Sequence, residues 1–187
     1  MSARSVLLVD EDHVILTVDS MTRNLVVLDT IHYRVHIGEM FQVDKVSLAV
    51  ANNASSEILI RVPSNGSAHM AFTIRAGGDT RLQLFEGPTV TGDGVSIPTV
   101  NRNRFSSKVT GILAFHTPTV ADDGVPLSSI LSAGGTGGNS AGGDASSFSE
   151  WVLKSDTDYL MKGTNVAGTA QNIGLEVYWY QIGASAP

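Results

Sequence analysis

His32 and His36 are the first pair whose types and spacing suggest chemistry. Four residues apart, they would share one face of a helix and hold a metal ion there. The run around them argues for something else. Ile31, Tyr33, Val35 and Ile37 alternate with His32, Arg34 and His36 until Gly38 breaks the pattern, which is the period of a strand. In a strand the two imidazoles share a face with Arg34 between them, roughly 13 Å apart at about 3.3 Å per residue. That is too far for one ion, so a polar strand face is expected and no metal site.

The other chemistry-bearing clusters read the same way. Asp10, Glu11, Asp12 and His13 make an acidic turn that lacks the spaced oxygens and bending glycine of a calcium loop. Asp122-Asp123-Gly124 is likewise a turn. Gly92-Asp93-Gly94 and the glycines of residues 134–143 have no Gly-Lys-Ser/Thr ending and no strand-loop-helix context, so they do not read as phosphate-binding loops. No Gly-x-Ser-x-Gly elbow follows a strand, and no Ser, His and Asp set can be paired. The expectation is a protein without catalytic residues, cofactor or metal, and hence not an enzyme. Trp151, Tyr159, Tyr178, Trp179 and Tyr180 could stack on a sugar. In a strand, however, Tyr178 and Tyr180 point to one face and Trp179, with Val177, to the other. One face then packs a core, and the other is a subunit interface or a glycan surface.

Composition narrows the class. The 187 residues are 42% hydrophobic and only 16% charged, against about 25% charged in an average domain. Such a surface suits burial against partners, and a symmetric oligomer or a component of a larger assembly is expected. The net charge is −6, and the scattered Lys and Arg cluster only at Asn101-Arg102-Asn103-Arg104, followed by Lys108. Nucleic-acid binding needs a broader basic face. The absence of cysteine excludes disulfides and thiolate metal sites. No run approaches the ~20 apolar residues of a membrane-spanning helix, and Val6 to Val9 is too short for a signal-peptide core. A soluble chain made in a cytoplasm without export is expected.

The elements that must position these residues are strands. Val6 to Val9, Val14 to Val18 and Leu25 to Leu28 are short β-prone runs in residues 1–31. They read either as an extended N-terminal arm that needs a neighbouring surface or as leading strands of the body. Alternation then recurs at Val46, Leu48, Val50; at Ile58, Ile60, Val62; at Met70, Phe72, Ile74; and at Leu82 and Leu84. Residues 87–108 read as a long surface connection with a short strand at Val95 to Ile97. Val109 to Phe115 is a strand, Pro118 to Pro126 a loop, and Leu127 to Leu131 a short strand or helical turn. Residues 132–147 form a Gly/Ser tract, expected to be a flexible loop. Three further strands follow at Glu150 to Lys154, Asp158 to Lys162 and Ile173 to Tyr180. No segment has a helical period, and no internal repeat stands out. Eight to ten short strands point to an all-β antiparallel sandwich or jelly roll over residues 32–187. Trp151, Trp179, Phe72 and Phe85 are expected to anchor its core.

Several short motifs occur in a telling order: His32-Tyr33-Arg34-Val35-His36-Ile37-Gly38 leading to Phe41; Leu84-Phe85-Glu86-Gly87-Pro88; Pro98-Thr99-Val100-Asn101-Arg102-Asn103-Arg104; Glu150-Trp151-Val152-Leu153-Lys154 with Tyr159-Leu160; Thr164-Asn165; and Leu175-Glu176-Val177-Tyr178-Trp179-Tyr180. Together, over about residues 32 to 182, they resemble a family of tailed-bacteriophage structural proteins that includes capsid decoration (cement) proteins. Residues 1–31 and the Gly-rich tract are where this chain departs from that family. The resemblance implies a jelly-roll-like body that decorates the outer surface of a virion's capsid, made in the bacterial host cytoplasm. It would act as a homotrimer that bridges and stabilises subunits of the major capsid protein. Many copies, each with a standard interface of ~1,600 Å², would add a large cumulative stabilisation. Its partners would be itself and the capsid protein, with neither nucleic acid nor membrane. The interface residues expected on this reading are Val6, Leu8, Val14, Leu16, Leu25 and Val27 of the arm, which would add a strand to a sheet edge. Asn101, Arg102, Asn103, Arg104, Tyr178 and Tyr180 of the body complete the set. The alternative is a receptor- or glycan-binding module of a head or tail fibre.

Overall fold

The computed structural model describes residues 17–18, 25–26, 30–134, 143–146 and 150–181. A short ladder of β1 (Thr17–Val18) with β2 (Leu25–Val26) comes first, then a helix, α1 (Thr30–His36). Four long strands follow: β3 (Met40–Val50), β4 (Ser55–Val62), β5 (Ala68–Ala76) and β6 (Thr80–Glu86). Residues 87–124 carry five short ones, β7 (Thr89–Gly92), β8 (Val95–Ile97), β9 (Val100–Asn101), β10 (Leu113–His116) and β11 (Thr119–Asp122). The chain continues through β12 (Val125–Ser132), β13 (Gly143–Ser146), β14 (Trp151–Leu153), β15 (Thr157–Asn165) and β16 (Gln171–Gln181).

The strands make two facing antiparallel sheets. The first runs β12-β6-β15-β4-β10-β8, and the second β13-β5-β16-β3-β9, with β14 also paired to β5. Alternation decides what lies between them. Ile58, Ile60, Tyr159 and Met161 of the first sheet meet Phe41, Phe72, Ile74, Leu175 and Trp179 of the second in one buried cluster. Trp179 is wholly buried, 6.2 Å from the Phe41 ring, and donates its indole N–H to Thr110. Trp151 is partly buried against the same cluster. The two tryptophans sit in register on either side of Met70 of β5. The fold is thus the expected all-β sandwich, and Trp179 and Phe72 anchor its core.

Phe85 is buried elsewhere. Phe115, Leu59, Leu160, Phe85 and Pro126 lie in one row across five strands of the first sheet, on the face turned away from the main core. A ribbon of β7 and β11 is tied to this face at both ends. Asp93, just after β7, takes a two-pronged ion pair from Arg61 at 2.6 and 2.8 Å. Asp123, just after β11, takes Lys162 at 2.9 and 3.0 Å. Leu59 and Leu160 are wholly buried, and Pro88 and Pro118 at the starts of the two ribbon strands are buried too.

This ribbon exposes a repeat that alternation alone does not flag. Phe85-Glu86-Gly87-Pro88-Thr89-Val90 is echoed by Phe115-His116-Thr117-Pro118-Thr119-Val120, and Asp93-Gly94-Val95 by Asp123-Gly124-Val125. The two copies pair with each other, Val90 opposite Val120, and their ends interlock reciprocally. A Cβ on Gly94 would lie 2.3 Å from the carbonyl oxygen of His116, and one on Gly124 would lie 2.4 Å from that of Glu86. Both glycines have positive φ, +85° and +89°, a conformation natural to glycine alone. The unit is a local pseudo-two-fold built from a short duplicated segment.

Four expectations about individual elements need correction. Ile31 to Ile37 is a helix with its following turn, not a strand. The β-branched run favours extension, but the chain end is fixed by Gly38 at φ +73°. Gly38 N–H reaches the carbonyl of Val35, and Glu39 N–H that of Arg34, the paired bonds of a glycine-terminated helix. Part of the Gly/Ser tract is a strand, since Gly143–Ser146 pairs with Thr73 to Ala76 of β5. An open sheet edge binds backbone groups whatever the side chains. The loop expected from Pro118 to Pro126 contains β11, and the strand expected from Val109 begins only at Leu113. Val6, Leu8, Val14, Leu16 and Val27 lie outside the described residues, and only the backbone of Leu25 falls within them.

Candidate interaction surface

The end of α1 and residues 101–108 form one locked unit. β9 pairs with the start of β3, Asn101 opposite Phe41, and so brings the Asn-Arg-Asn-Arg segment beside Gly38. Asn101 Nδ2 donates to the carbonyls of Gly38 (2.9 Å) and Lys108 (3.0 Å), and Oδ1 accepts from Asn103 N–H. Asn103 Nδ2 donates to the carbonyl of His36 at 2.8 Å, satisfying a helix-end acceptor, while its Oδ1 accepts from Phe105 N–H. Ser106 Oγ accepts from Lys108 N–H. Asn, Asn and Ser at 101, 103 and 106 each bond the amide two residues on, the local bond these residue types form in turns. There is no slack at the contact: a Cβ on Gly38 would lie 2.1 Å from Ser106 Oγ.

A charged centre fastens the unit to the body. Glu39 receives Arg34 on one oxygen and Lys108 Nζ, at 3.0 Å, on the other. The Arg34 guanidinium also lies 5.3 Å from the centre of the Tyr180 ring, so α1 covers one end of the outer face of the second sheet. Tyr180 stacks on His69 with centroids 4.6 Å apart, and His69 Nδ1 lies 2.8 Å from Glu150. Burial, together with a hydrogen bond to Glu150 and its charge, pushes the Tyr180 hydroxyl up to about 12, against the opposing charge of Arg34.

The helix reverses the geometry expected for the histidines. His32 and His36 are adjacent, Nε2 to Nε2 at 3.0 Å, rather than far apart. They remain a pair: among the described residues no group of three or more His, Cys, Asp or Glu is placed to hold a metal.

Of the expected body interface, Asn101 and Asn103 are structural, holding the loop from within. Arg102 and Arg104 are exposed. Tyr178 and Tyr180 are half-buried, Tyr180 beneath Arg34. Tyr159 and Trp179 are buried and cannot belong to a sugar-stacking platform. The residue that alternation misses is Phe105, 101% exposed at the tip of the rigid loop. Its signal lies in the sequence as an aromatic directly after two Asn-Arg dipeptides. An open groove of about 850 Å³ lies on the outer face of the second sheet, over Asp44, Val46, Gly174 and Glu176. No family model matches this chain, and no curated protein matches it.

Proposed function

We propose that this chain is a virion structural protein that decorates and stabilises the outer surface of a phage capsid. It would bridge neighbouring capsid subunits as a trimer and carry out no catalysis. The observation that carries the reading is the loop of residues 101–108. Its first half, Asn101 to Arg104, belongs to the set of motifs that resembles the phage family. It is braced by side-chain bonds at every second or third residue, and it holds Arg102, Arg104 and Phe105 outward. A rigid, exposed aromatic flanked by arginines loses little entropy on docking and has the composition of an interface hot spot.

The topology supports the same reading. β3 pairs with β16, β4 with β15, β5 with β14 and β6 with β12. Counted over these eight strands, first meets last, second meets seventh, third meets sixth and fourth meets fifth. We read this as one long hairpin rolled into a jelly roll, with residues 87–124 inserted between its central strands. Residues 1–31 would serve as the arm that grips a capsid subunit or a neighbouring copy.

The test is the copy number in purified virions, by gel densitometry against the major capsid protein. Copies comparable to the capsid protein are expected. A handful would point instead to a head or tail fibre and its receptor- or glycan-binding role. Absence from the particle would end the proposal.

A further inference from the structure

Phe105 and the groove on the outer face of the second sheet have complementary chemistry on the same chain. The knob is an aromatic ring with two arginines that have no ion-pair partner among the described residues. The groove has Val46 as its apolar wall, with Asp44, Arg75 and Glu176 at its rim, while the side chains of Leu175 and Ala76 beneath it face the core. Leu48, two residues beyond Val46 on the same strand face, is 74% exposed and extends the apolar wall. Glu176 is already met by Arg75 at 3.2 Å, which leaves Asp44 as the groove's acid without an ion-pair partner among the described residues. Gly174 leaves the centre of the floor without a side chain.

We infer that the 101–108 loop of one copy seats Phe105 in this groove of a second copy, with Arg102 or Arg104 facing Asp44. A copy does not fill its own groove, because the Phe105 side chain is fully exposed and packs on none of the described residues. The loop is held toward the helix end of β3 by the carbonyls of His36 and Gly38, whereas the groove runs along that strand from Gln42 to Val46. Knob and groove are different surfaces, so the contact is head-to-tail. Repeated by rotation, it closes a ring. The inference names the subunit contact of the assembly proposed above and rests on that assembly.

The experiment is sedimentation velocity on the full chain, wild type beside Phe105→Ala and Val46→Lys. Both substituted residues are exposed, and far-UV circular dichroism checks that each variant keeps its sheet signal. Wild type should sediment as a closed oligomer and each variant as a monomer, with at least a tenfold weaker association. Phe105→Ala keeps an intact groove and Val46→Lys an intact knob, so an equimolar mixture should form a one-to-one heterodimer. Wild-type oligomers left unchanged by both substitutions would overturn the contact but leave the assembly standing. A monomeric wild type would overturn both. Two monomeric variants that fail to combine would overturn the head-to-tail arrangement.

Discussion

Asn165 ties three strands together where they converge, and replacing it with alanine should cost the fold heavily. It is wholly buried. Its Nδ2 donates to the carbonyls of Val50 (2.8 Å), at the end of β3, and Thr169 (2.7 Å), just before β16. Its Oδ1 accepts from Ala167 N–H (2.9 Å) and from Gln171 Nε2 (2.8 Å). Gln171 in turn reaches Thr80 at the start of β6. Asn165→Ala removes four bonds and leaves their partners facing a small cavity. At about 1 kcal/mol net per neutral bond the loss would be ~4 kcal/mol, and water entering from the solvent side lowers it to ~3. For a domain of this size that corresponds to a fall in Tm of roughly 6–12 °C. Urea unfolding followed by tryptophan fluorescence reads it directly, since Trp179 is wholly buried, with protein concentration held fixed against any oligomer. Asn101→Ala is the comparison. It also breaks three side-chain bonds, but in a half-buried loop where water replaces them, so about 1 kcal/mol is expected. A loss at Asn165 no larger than that at Asn101 would refute the reasoning that burial, rather than bond number, sets the cost.

Two further outcomes follow from the same geometry. Gly94→Ala and Gly124→Ala should each destabilise by about 2–3 kcal/mol, from positive φ and a carbonyl oxygen inside contact distance, and by equal amounts if the duplicated segment is a true pseudo-two-fold; chemical denaturation of the pair tests this. The Tyr180 hydroxyl is raised to about 12 by burial first and then by Glu150, so its protonated form is favoured in the folded state. The stabilisation is full below the unfolded tyrosine value near 10 and is lost as pH rises toward 12. Ultraviolet difference titration should show a late-ionising tyrosine that Tyr180→Phe removes, and that variant should resist alkaline unfolding better than wild type.

The sandwich was legible in the sequence because its core obeys one rule. Ile58 and Ile60, then Met70, Phe72 and Ile74, then Leu82 and Leu84 recur at every second position, and these residues, with Tyr159 and Trp179, are all buried. Alternation failed where a different force decided the outcome. Ile31 to Ile37 has a strand's pattern, but a seven-residue helix is fixed by tertiary contacts that no local pattern contains: Arg34 on Glu39 and Tyr180, and the His36 carbonyl on Asn103. Propensity is a weak prior against such contacts. The same failure hid the contact between His32 and His36, whose separation depends entirely on which period the backbone adopts. Phe85 shows the opposite case. Its burial was anticipated but its layer was not, because a strand position with apolar residues on both faces says only that something covers each face. The cover was written elsewhere, in the repeated Pro-Thr-Val and Asp-Gly-Val elements 30 residues apart, whose meaning appears only once the two copies are seen to pair. Phe105 escaped for a related reason. A core residue advertises itself by periodicity, whereas a docking residue does so by being rigid and exposed, and rigidity here comes from bonds of Asn101 and Asn103 to helix-end carbonyls more than 60 residues away. The residues that build the body are therefore periodic in the chain, and those that would join it to a partner are not.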